Sequence, residues 1–312
     1  MTSRPRLVIS GASGLVGSHL QKVARERYDL TLLTRNEEKA AEGNGWVFWN
    51  PEGASQGDTS ALGPLAESLS GAYGIVNLAG VSISDGRLDE THRERVLESR
   101  LQSARALLLA QRRAETPAQV WFQASATGYY GDRGDTELTE RSHIGAGLLS
   151  DVCRAWEEAP EDAGGARLVI GRFGTVLAKE AESWNKLLLP IRLFVGGPLG
   201  SGQQWFPWVD AEDAVRAILF LLETNSAEGI YNVNAPDSVR QLEFTRAVAR
   251  RLSRPAVIPA PAFALRFALG NLADALLLDS VRVVPERLGL EGFTFERPTL
   301  ERELDALLGQ GV

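Results

Sequence analysis

Three glycines near the start of the chain have the spacing of a phosphate-binding turn. Gly11, Gly14 and Gly17 follow one another at intervals of three residues. Glycine enters turns closed to other residues, and without a side chain its backbone can approach a pyrophosphate closely. The free N–H groups and the dipole at the start of a helix attract negative charge. This spacing therefore predicts a site for the pyrophosphate of a dinucleotide.

The segments on either side of these glycines give the motif its context. Residues 7–9 form an apolar run too short for a helix, and apolar residues at helical spacing begin at Leu15. A strand, a glycine turn and a helix in this order favour dinucleotide binding over an ordinary glycine-rich turn, which is the alternative. The residues expected to bind the cofactor here are Gly11, Ser13, Gly14, Leu15, Val16 and Gly17.

The end of the second predicted strand distinguishes between the two nicotinamide cofactors. Residues 30–34 form an apolar strand that ends at Thr34 and is followed by Arg35. An acidic side chain at this point would bind the ribose 2′-OH of NAD, whereas arginine accommodates the 2′-phosphate of NADP. The sequence thus predicts NADP(H), with Thr34 and Arg35 in its site. The alternative is a solvated loop arginine.

A further predicted strand, residues 74–80, ends in small residues. Leu78, Ala79 and Gly80 close it, and small side chains at the carboxyl end of a parallel strand let a ring or a ribose come close. We expect these three residues to contact the cofactor. Taken alone, the feature would also suit a simple strand-to-loop connection.

Composition excludes several classes of protein. The net charge of −7 over 312 residues argues against nucleic acid or an anionic membrane surface as the main partner. The single cysteine, Cys153, cannot form an internal disulfide, so a reducing cytoplasm is expected. Neither a signal-peptide pattern nor an uninterrupted apolar span of membrane-crossing length is found. Three widely spaced histidines and one cysteine make a metal site unexpected.

Strand patterns alternate with helical patterns, which predicts an α/β fold: a Rossmann-type, doubly wound parallel sheet with a smaller C-terminal substrate lobe. Residues 1–254 are expected to form the NAD(P)-binding domain, with 178–254 contributing the lobe, and residues 255–312 a small helical domain. Residues 52–63 are predicted as a polar loop, and the regular pattern loosens after residue 178. A helix is predicted over residues 89–113, with its arginines, including Arg100, on the solvent face.

Several motifs in order give the chain a family resemblance. They are Leu33-Thr34-Arg35, Asn77 to Gly80, Ser125 to Gly131 and Gly196 to Trp205. Together with the glycine motif they resemble the atypical, epimerase-like branch of the extended short-chain dehydrogenase/reductase superfamily, over nearly the whole chain. The resemblance implies NADP(H), a small-molecule substrate that is free or nucleotide-linked, and a homodimer. Where relatives commonly carry histidine, this chain has Asp210.

The catalytic pair of that superfamily is missing. Most members use Tyr-x-x-x-Lys, in which lysine lowers the tyrosine pKa and tyrosine exchanges a proton with the substrate. No tyrosine here has lysine four residues on, and the matching helix carries Leu149 and Cys153 instead. The expected replacements are Tyr129 with Ser125 or Thr127, and Ser125 is also expected beside the cofactor. The alternative is that Tyr129 lines the pocket with Tyr130.

A few other residues could form the substrate pocket, since aromatic walls with one or two cations suit a ring bearing a phosphate or carboxylate. The candidates are Arg172, Lys186, Gln204, Trp205 and Trp208. For the two tryptophans, the alternative role is to pack the small domain on the large one. Two functions follow from the sequence: an NADP-dependent reductase or epimerase, or a regulatory protein that senses NADPH without turnover. A flavin or another nucleotide is a third possibility, which Arg35 disfavours.

Overall fold

The computed structural model describes residues 4–83, 90–270 and 272–309. Its centre is a sheet of seven strands. The strands of the chain, in order, are β1 (Arg6–Ser10), β2 (Asp29–Thr34), β3 (Trp46–Phe48), β4 (Gly74–Asn77), β5 (Val120–Ala126), β6 (Glu137–Leu138), β7 (Arg167–Phe173), β8 (Thr175–Leu177), β9 (Trp205–Phe206), β10 (Trp208–Asp210), β11 (Gly229–Val233), β12 (Val239–Arg240) and β13 (Arg282–Val283).

The order of the large sheet is β11-β7-β5-β4-β1-β2-β3, and all its pairs are parallel. Strands β2 and β3 are added on one side of β1, and β4 and the later strands on its other side, so the order of strands reverses between β1 and β4. Ligands of open parallel sheets bind outside the carboxyl ends of the strands at such a point. The predicted doubly wound α/β fold is confirmed, and its expected ligand edge lies where β1 meets the glycine turn.

Helices cover both faces of this sheet. They are α1 (Leu15–Ala24), α2 (Glu37–Ala41), α3 (Pro51–Ser55), α4 (Thr59–Leu69), α5 (Glu90–Arg113), α6 (Leu148–Glu158), α7 (Glu182–Arg192), α8 (Ala211–Glu223), α9 (Gln241–Arg251), α10 (Ala262–Leu269), α11 (Glu286–Leu290) and α12 (Leu300–Leu308). Helices α1 and α8 bury apolar residues such as Leu20 and Ile218 on one face. On the other face, α4 and α5 bury Leu62 and Leu107.

The lobe beyond β8 has its own apolar core. Trp184 of α7, Phe244 of α9 and Leu304 of α12 pack together with Trp208. Strand β12 pairs with β9 within this lobe, and β13 pairs with β6, which follows β5 of the large sheet. Among the described residues, none of the helices has the length and apolarity needed to cross a membrane.

Two sequence predictions of irregular structure are wrong. The segment 52–63 is largely helical, because Asn50 and Asp58 cap the starts of α3 and α4 by accepting hydrogen bonds from backbone N–H groups. Helix α7 lies in the region where the pattern loosened, and its buried face, including Leu188, recurs at helical spacing. The capping residues Asn50 and Asp58 and the helical spacing of the buried α7 residues were therefore signals that the sequence-based prediction missed.

The solvent-facing role predicted for the α5 arginines is wrong for Arg100. Its side chain is buried, its Nη1 donates to the Val81 carbonyl over 2.9 Å, and its guanidinium lies 4.6 Å from the ring centre of Trp156. Burial lowers the pKa of Arg100 to about 10. The predicted helix start at residue 89 lies outside the described residues.

Candidate cofactor and substrate site

The glycine turn after β1 forms a tight cradle at the start of α1. Gly11 has φ +71°, and a Cβ at this position would lie 2.6 Å from the Leu78 carbonyl carbon. A Cβ on Gly17 would lie 2.4 Å from the Gly11 oxygen, so α1 can pack here only with glycine. Gly14 is the N-cap of α1 without a side-chain cap, and the first turn contains no acidic residue. The cradle therefore suits an anion.

A buried hydrogen-bond network holds the neighbouring strand ends in register. Ser10 donates to the Asn77 side-chain oxygen over 2.6 Å, and Asn77 donates to Gln123 over 3.0 Å. The Ala79 backbone N–H donates to the same Asn77 oxygen over 3.3 Å. These bonds fix the turn formed by Leu78, Ala79 and Gly80 beside the glycine cradle, with Gly80 exposed.

Arg35 lies at the same edge of the sheet. Ser10 of β1 is paired with Leu33 of β2, two residues before Arg35. The Arg35 side chain is exposed, and no hydrogen bond or ion pair engages it within the described part of the chain. Thr34 is buried, and its hydroxyl accepts a hydrogen bond from the Asn36 N–H over 3.2 Å. Arg35 can therefore bind a phosphate without first breaking another ion pair.

The carboxyl ends of β5 and β7 lie next to a buried ion pair that the sequence did not reveal. Arg172 of β7 binds Glu157 of α6 through two contacts of 2.7 Å, from Nε to Oε1 and from Nη2 to Oε2. The Ser125 hydroxyl donates to the same Glu157 Oε1 over 2.6 Å. Burial alone would lower the pKa of Arg172, but the bond to Glu157 outweighs it and raises that pKa. Arg172 is thus a structural cation rather than a free pocket cation, contrary to expectation.

The two tyrosines after β5 have different roles. They lie in a 3-10 helix, Thr127–Tyr130, in which Thr127 is also buried. The Tyr130 hydroxyl donates to Asn232 over 2.7 Å, and burial raises the pKa of Tyr130 to about 12. Tyr129 is partly exposed, and its ring centre lies 3.3 Å from the guanidinium carbon of Arg172. Within the described residues its hydroxyl has no hydrogen-bond partner, so it can meet a ligand.

The positions matched to the missing pair are apolar. Leu149 packs on Gly128, where an added Cβ would lie 3.0 Å from the Leu149 Cβ. Cys153 is buried, and burial raises the pKa of its thiol to about 11. A neutral, enclosed thiol is a poor nucleophile and cannot relay a proton. Neither residue can replace the tyrosine or the lysine.

The remaining pocket candidates are mostly engaged elsewhere. Gln204 is buried and donates to the Leu199 and Leu277 carbonyls, and Trp208 belongs to the lobe core. Lys186 pairs with Glu182 on the exposed side of α7. Trp205 is partly exposed and donates to Asp135 over 2.9 Å. Trp205 and Trp208 both line a small cavity together with Val281 and Val283. Across the described ranges, no cluster of His, Cys, Asp or Glu could hold a metal.

Asp210 lies at a structural junction. It caps α8 by accepting from the Asp213 N–H over 2.9 Å, and its other oxygen pairs with Arg297. Glu303 of α12 is fully buried next to this pair, and burial raises the pKa of Glu303 to about 8. The spacing of Leu300, Glu303, Leu304 and Leu307 on one helix face was the sequence signal for this buried acid.

Family models and curated relatives both match this chain to the same family. Residues 7–234 match the model of the NAD dependent epimerase/dehydratase family, and residues 260–307 match a domain of unknown function, DUF1731. An epimerase family protein of Mycobacterium leprae is 34% identical over 302 residues, covering 96% of this chain and 94% of its own length. One from Staphylococcus epidermidis is 32% identical over 308 residues, covering 97% and 99%.

Solved structures agree with this match. The human epimerase family protein SDR39U1 (isoform 2), solved with NADPH, superimposes with a TM-score of 0.85 at 30% identity, covering 97% of this chain and 99% of its own. The Thermus thermophilus UDP-glucose 4-epimerase, solved with NAD, gives a TM-score of 0.68 at 19% identity over 93% and 94% of the two chains. The second likeness shows the fold alone.

Proposed function

The chain belongs to the NAD dependent epimerase/dehydratase family, and from this premise we propose that it is an NADP(H)-dependent oxidoreductase or epimerase. Its substrate is a small molecule, free or nucleotide-linked, bound between the sheet edge and the lobe. When bound, the nicotinamide accepts or donates hydride. One buried cysteine is consistent with a reducing cytoplasm, and the family resemblance implies a homodimer.

The cofactor assignment rests on one observation: the glycine cradle and an exposed arginine, which forms no ion pair with any described residue, lie at the same sheet edge. In this proposal the helix start takes the pyrophosphate, and Arg35 takes the 2′-phosphate. The structure of the human relative was solved with NADPH, which supports the same choice. The proposed binding residues are Gly11, Ser13, Gly14, Leu15, Val16, Gly17, Thr34, Arg35, Leu78, Ala79, Gly80 and Ser125.

For proton transfer we propose Tyr129. It is the tyrosine of the 3-10 helix whose hydroxyl has no partner within the described residues, whereas Tyr130 is committed to Asn232. Arg172 lies against the Tyr129 ring and fixes its orientation, and Glu157 connects Arg172 to Ser125. Ser125 donates its proton to Glu157, so it can meet a substrate only as an acceptor. Thr127 is the remaining hydroxyl candidate.

The same family match supports the proposed domain organisation. We propose that residues 1–254 form the NAD(P)-binding domain, with 178–254 contributing the substrate lobe, and that residues 255–312 form the small C-terminal domain. The separate matches over residues 7–234 and 260–307 support a division near residues 255–261, a connector that contains three prolines.

A second function, NADPH sensing without turnover, is favoured by a different observation. The positions of the usual catalytic pair hold Leu149 and the buried, neutral Cys153, and the Ser125 proton is committed to Glu157. Such a protein would keep the cofactor cradle and lose the proton path.

A turnover assay separates the two functions. NADPH oxidation is followed with panels of aldehydes, ketones and nucleotide sugars for the wild type, for Tyr129→Phe and for the control Tyr28→Phe, which removes a hydroxyl bonded to the remote Glu223. We expect Tyr129→Phe to lower kcat about 100-fold or more with unchanged NADPH affinity, as for loss of a general acid. Full turnover in Tyr129→Phe would remove Tyr129 from the mechanism. Tight NADPH binding without any hydride transfer would favour the sensor.

A further inference from the structure

The charges of this acidic protein are unevenly distributed. Residues 183–209 and 244–273 contain no Asp or Glu, yet together they carry seven Lys and Arg residues, in a chain with a net charge of −7. The two stretches include the end of α7, the end of α9, the connector after α9 and all of α10. A local basic surface is therefore built into a protein whose average charge is negative.

The same region exposes most of the large apolar side chains found on the described surface. Eleven large hydrophobic side chains are exposed on the described surface. Eight of them belong to the two basic stretches, and a ninth, Leu276, follows α10. The other two are Phe48 and Leu290. Phe267 is 87% exposed, Val257 76% and Phe263 75%. Helix α10 has no buried residue. Exposed apolar surface of this extent marks an interaction site.

The segments that carry these apolar residues are joined to one another, and the bridge Leu199↔Ala260 lies directly before α10. The Ile258 N–H donates to the Gly196 carbonyl over 3.1 Å, which joins the connector to the loop after α7. The guanidinium of Arg254 lies 4.5 Å from the ring centre of Phe194. We call the exposed apolar residues of 189–195, 257–258 and α10 the apolar tip.

Exposed arginines lie within the segments of the apolar tip or a few residues before them. Arg192, Arg250 and Arg254 are exposed, and none of them forms an ion pair within the described ranges. Arg266 of α10 is neutralised by Asp274. The partner of this surface therefore has to offer both apolar contact and negative charge.

We propose that the apolar tip docks on an anionic lipid surface, with Phe263 and Phe267 entering the headgroup region and the arginines binding lipid phosphates. Aromatic residues on a short exposed helix and flanking arginines are the features of interfacial membrane binding. A second copy of the chain fits less well, because an isologous interface would bring the same arginines face to face. The sequence-based expectation of no membrane partner rested on the net charge and on the lack of a membrane-crossing apolar span, and neither criterion detects this segregation of charge.

The test is co-sedimentation of the full chain with vesicles of phosphatidylcholine, alone or mixed with phosphatidylglycerol. We compare the wild type with Phe267→Glu and Arg254→Glu. The matched controls are Leu290→Glu, at a side chain 74% exposed on α11, and Arg105→Glu, at an exposed arginine of α5. The thermal melting temperature of each variant checks that it is folded.

We expect binding that requires phosphatidylglycerol. Phe267→Glu should lower the partition coefficient about tenfold or more, because a carboxylate is costly to insert and repels anionic lipid. Arg254→Glu should lower the partition coefficient about threefold or more, because an attractive charge is lost. High salt should lower it by a similar factor, because it screens the attraction to the lipid phosphates. The two controls should bind as the wild type does.

Three results would overturn the proposal. The first is no binding to phosphatidylglycerol vesicles at about millimolar lipid, where even a single weak anchor would be detected. The second is a loss of vesicle binding in the Leu290→Glu and Arg105→Glu controls as large as that in Phe267→Glu and Arg254→Glu. The third is a dimer in sedimentation velocity that Phe267→Glu dissociates, which would assign the apolar tip to a second copy. None of these results depends on the cofactor assignment.

Discussion

The Ser125 hydroxyl donates a 2.6 Å hydrogen bond to Glu157, and both side chains are buried. Glu157 also neutralises Arg172, whose strand pairs with that of Ser125 in the register Ser125↔Arg172. The three residues connect β5, β7 and α6 at the edge where substrate would bind. A carboxylate, rather than a tyrosine and lysine pair, organises this edge of the site.

The buried ion pair of Glu157 with Arg172 should stabilise the folded protein strongly. Glu157→Gln leaves the Arg172 guanidinium buried without its counterion, and it should lower the free energy of unfolding by about 3–5 kcal/mol. The exposed pair of Asp151 with Arg154 is the control, since Asp151→Asn should have little effect. Urea denaturation measures both. An equally small effect in Glu157→Gln would contradict a structural role for the pair.

The two neighbouring tyrosines should respond differently to loss of their hydroxyls. Tyr130→Phe leaves Asn232 and an Arg172 N–H without a buried partner, and it should cost about 1–3 kcal/mol of unfolding free energy. Tyr129→Phe removes a hydroxyl that has no partner within the described residues and should leave stability unchanged. Equal destabilisation by both substitutions, measured by chemical denaturation, would show that Tyr129 is structural.

Gly17→Ala tests the close approach of α1 to the glycine turn. The added Cβ would lie 2.4 Å from a backbone oxygen, so the helix has to shift, and both NADPH affinity and the melting temperature should fall. Gly289→Ala in α11 is the control, because a Cβ there meets no atom within 4 Å, and it should change neither quantity much. Normal NADPH affinity in Gly17→Ala would mean that this packing does not shape the cofactor site.

Buried Glu303 should make stability depend on pH. In the described part of the chain, neither of its oxygens has a hydrogen-bond donor, and it lies 3.9 Å from the cationic Arg297 Nη1; Asp210 and Asp213 supply like charge. Protonated, Glu303 can donate to Asp210. Burial raises the folded-state pKa of Glu303 to about 8 from an ordinary value of 4.5, so the folded chain holds a proton that the unfolded chain has lost.

The free energy of unfolding should therefore fall as pH rises from about 4.5 to about 8, by up to roughly 1.4 kcal/mol per pH unit. Glu303→Gln keeps a neutral donor and should remove most of this slope. The control Glu301→Gln changes an exposed residue of the same helix. Thermal melts across this pH range test the prediction, and an unchanged slope in Glu303→Gln would refute it.

The sequence was most informative where backbone requirements restrict residue type. The glycine spacing predicted the turn, because only glycine permits the contact between Gly17 and Gly11. The burial of Arg100 and Glu157 was not predictable in the same way, because their burial depends on partners remote in sequence, Val81 and Arg172. The sequence alone showed that the catalytic pair is missing. Only the structure showed that the Tyr130 hydroxyl is bonded to Asn232, which leaves Tyr129 as the tyrosine that can meet a ligand.

The most direct test of the proposed cofactor site is a titration of the purified protein with NADPH and, separately, NADH, for the wild type, Arg35→Ala and the remote control Arg93→Ala. We predict that the wild type prefers NADPH and that Arg35→Ala lowers NADPH affinity about ten- to a hundred-fold, the loss of one charge-assisted contact, while NADH affinity stays the same. Arg93→Ala should match the wild type. An unchanged NADPH preference in Arg35→Ala, or no binding of either cofactor to the wild type, would contradict the account.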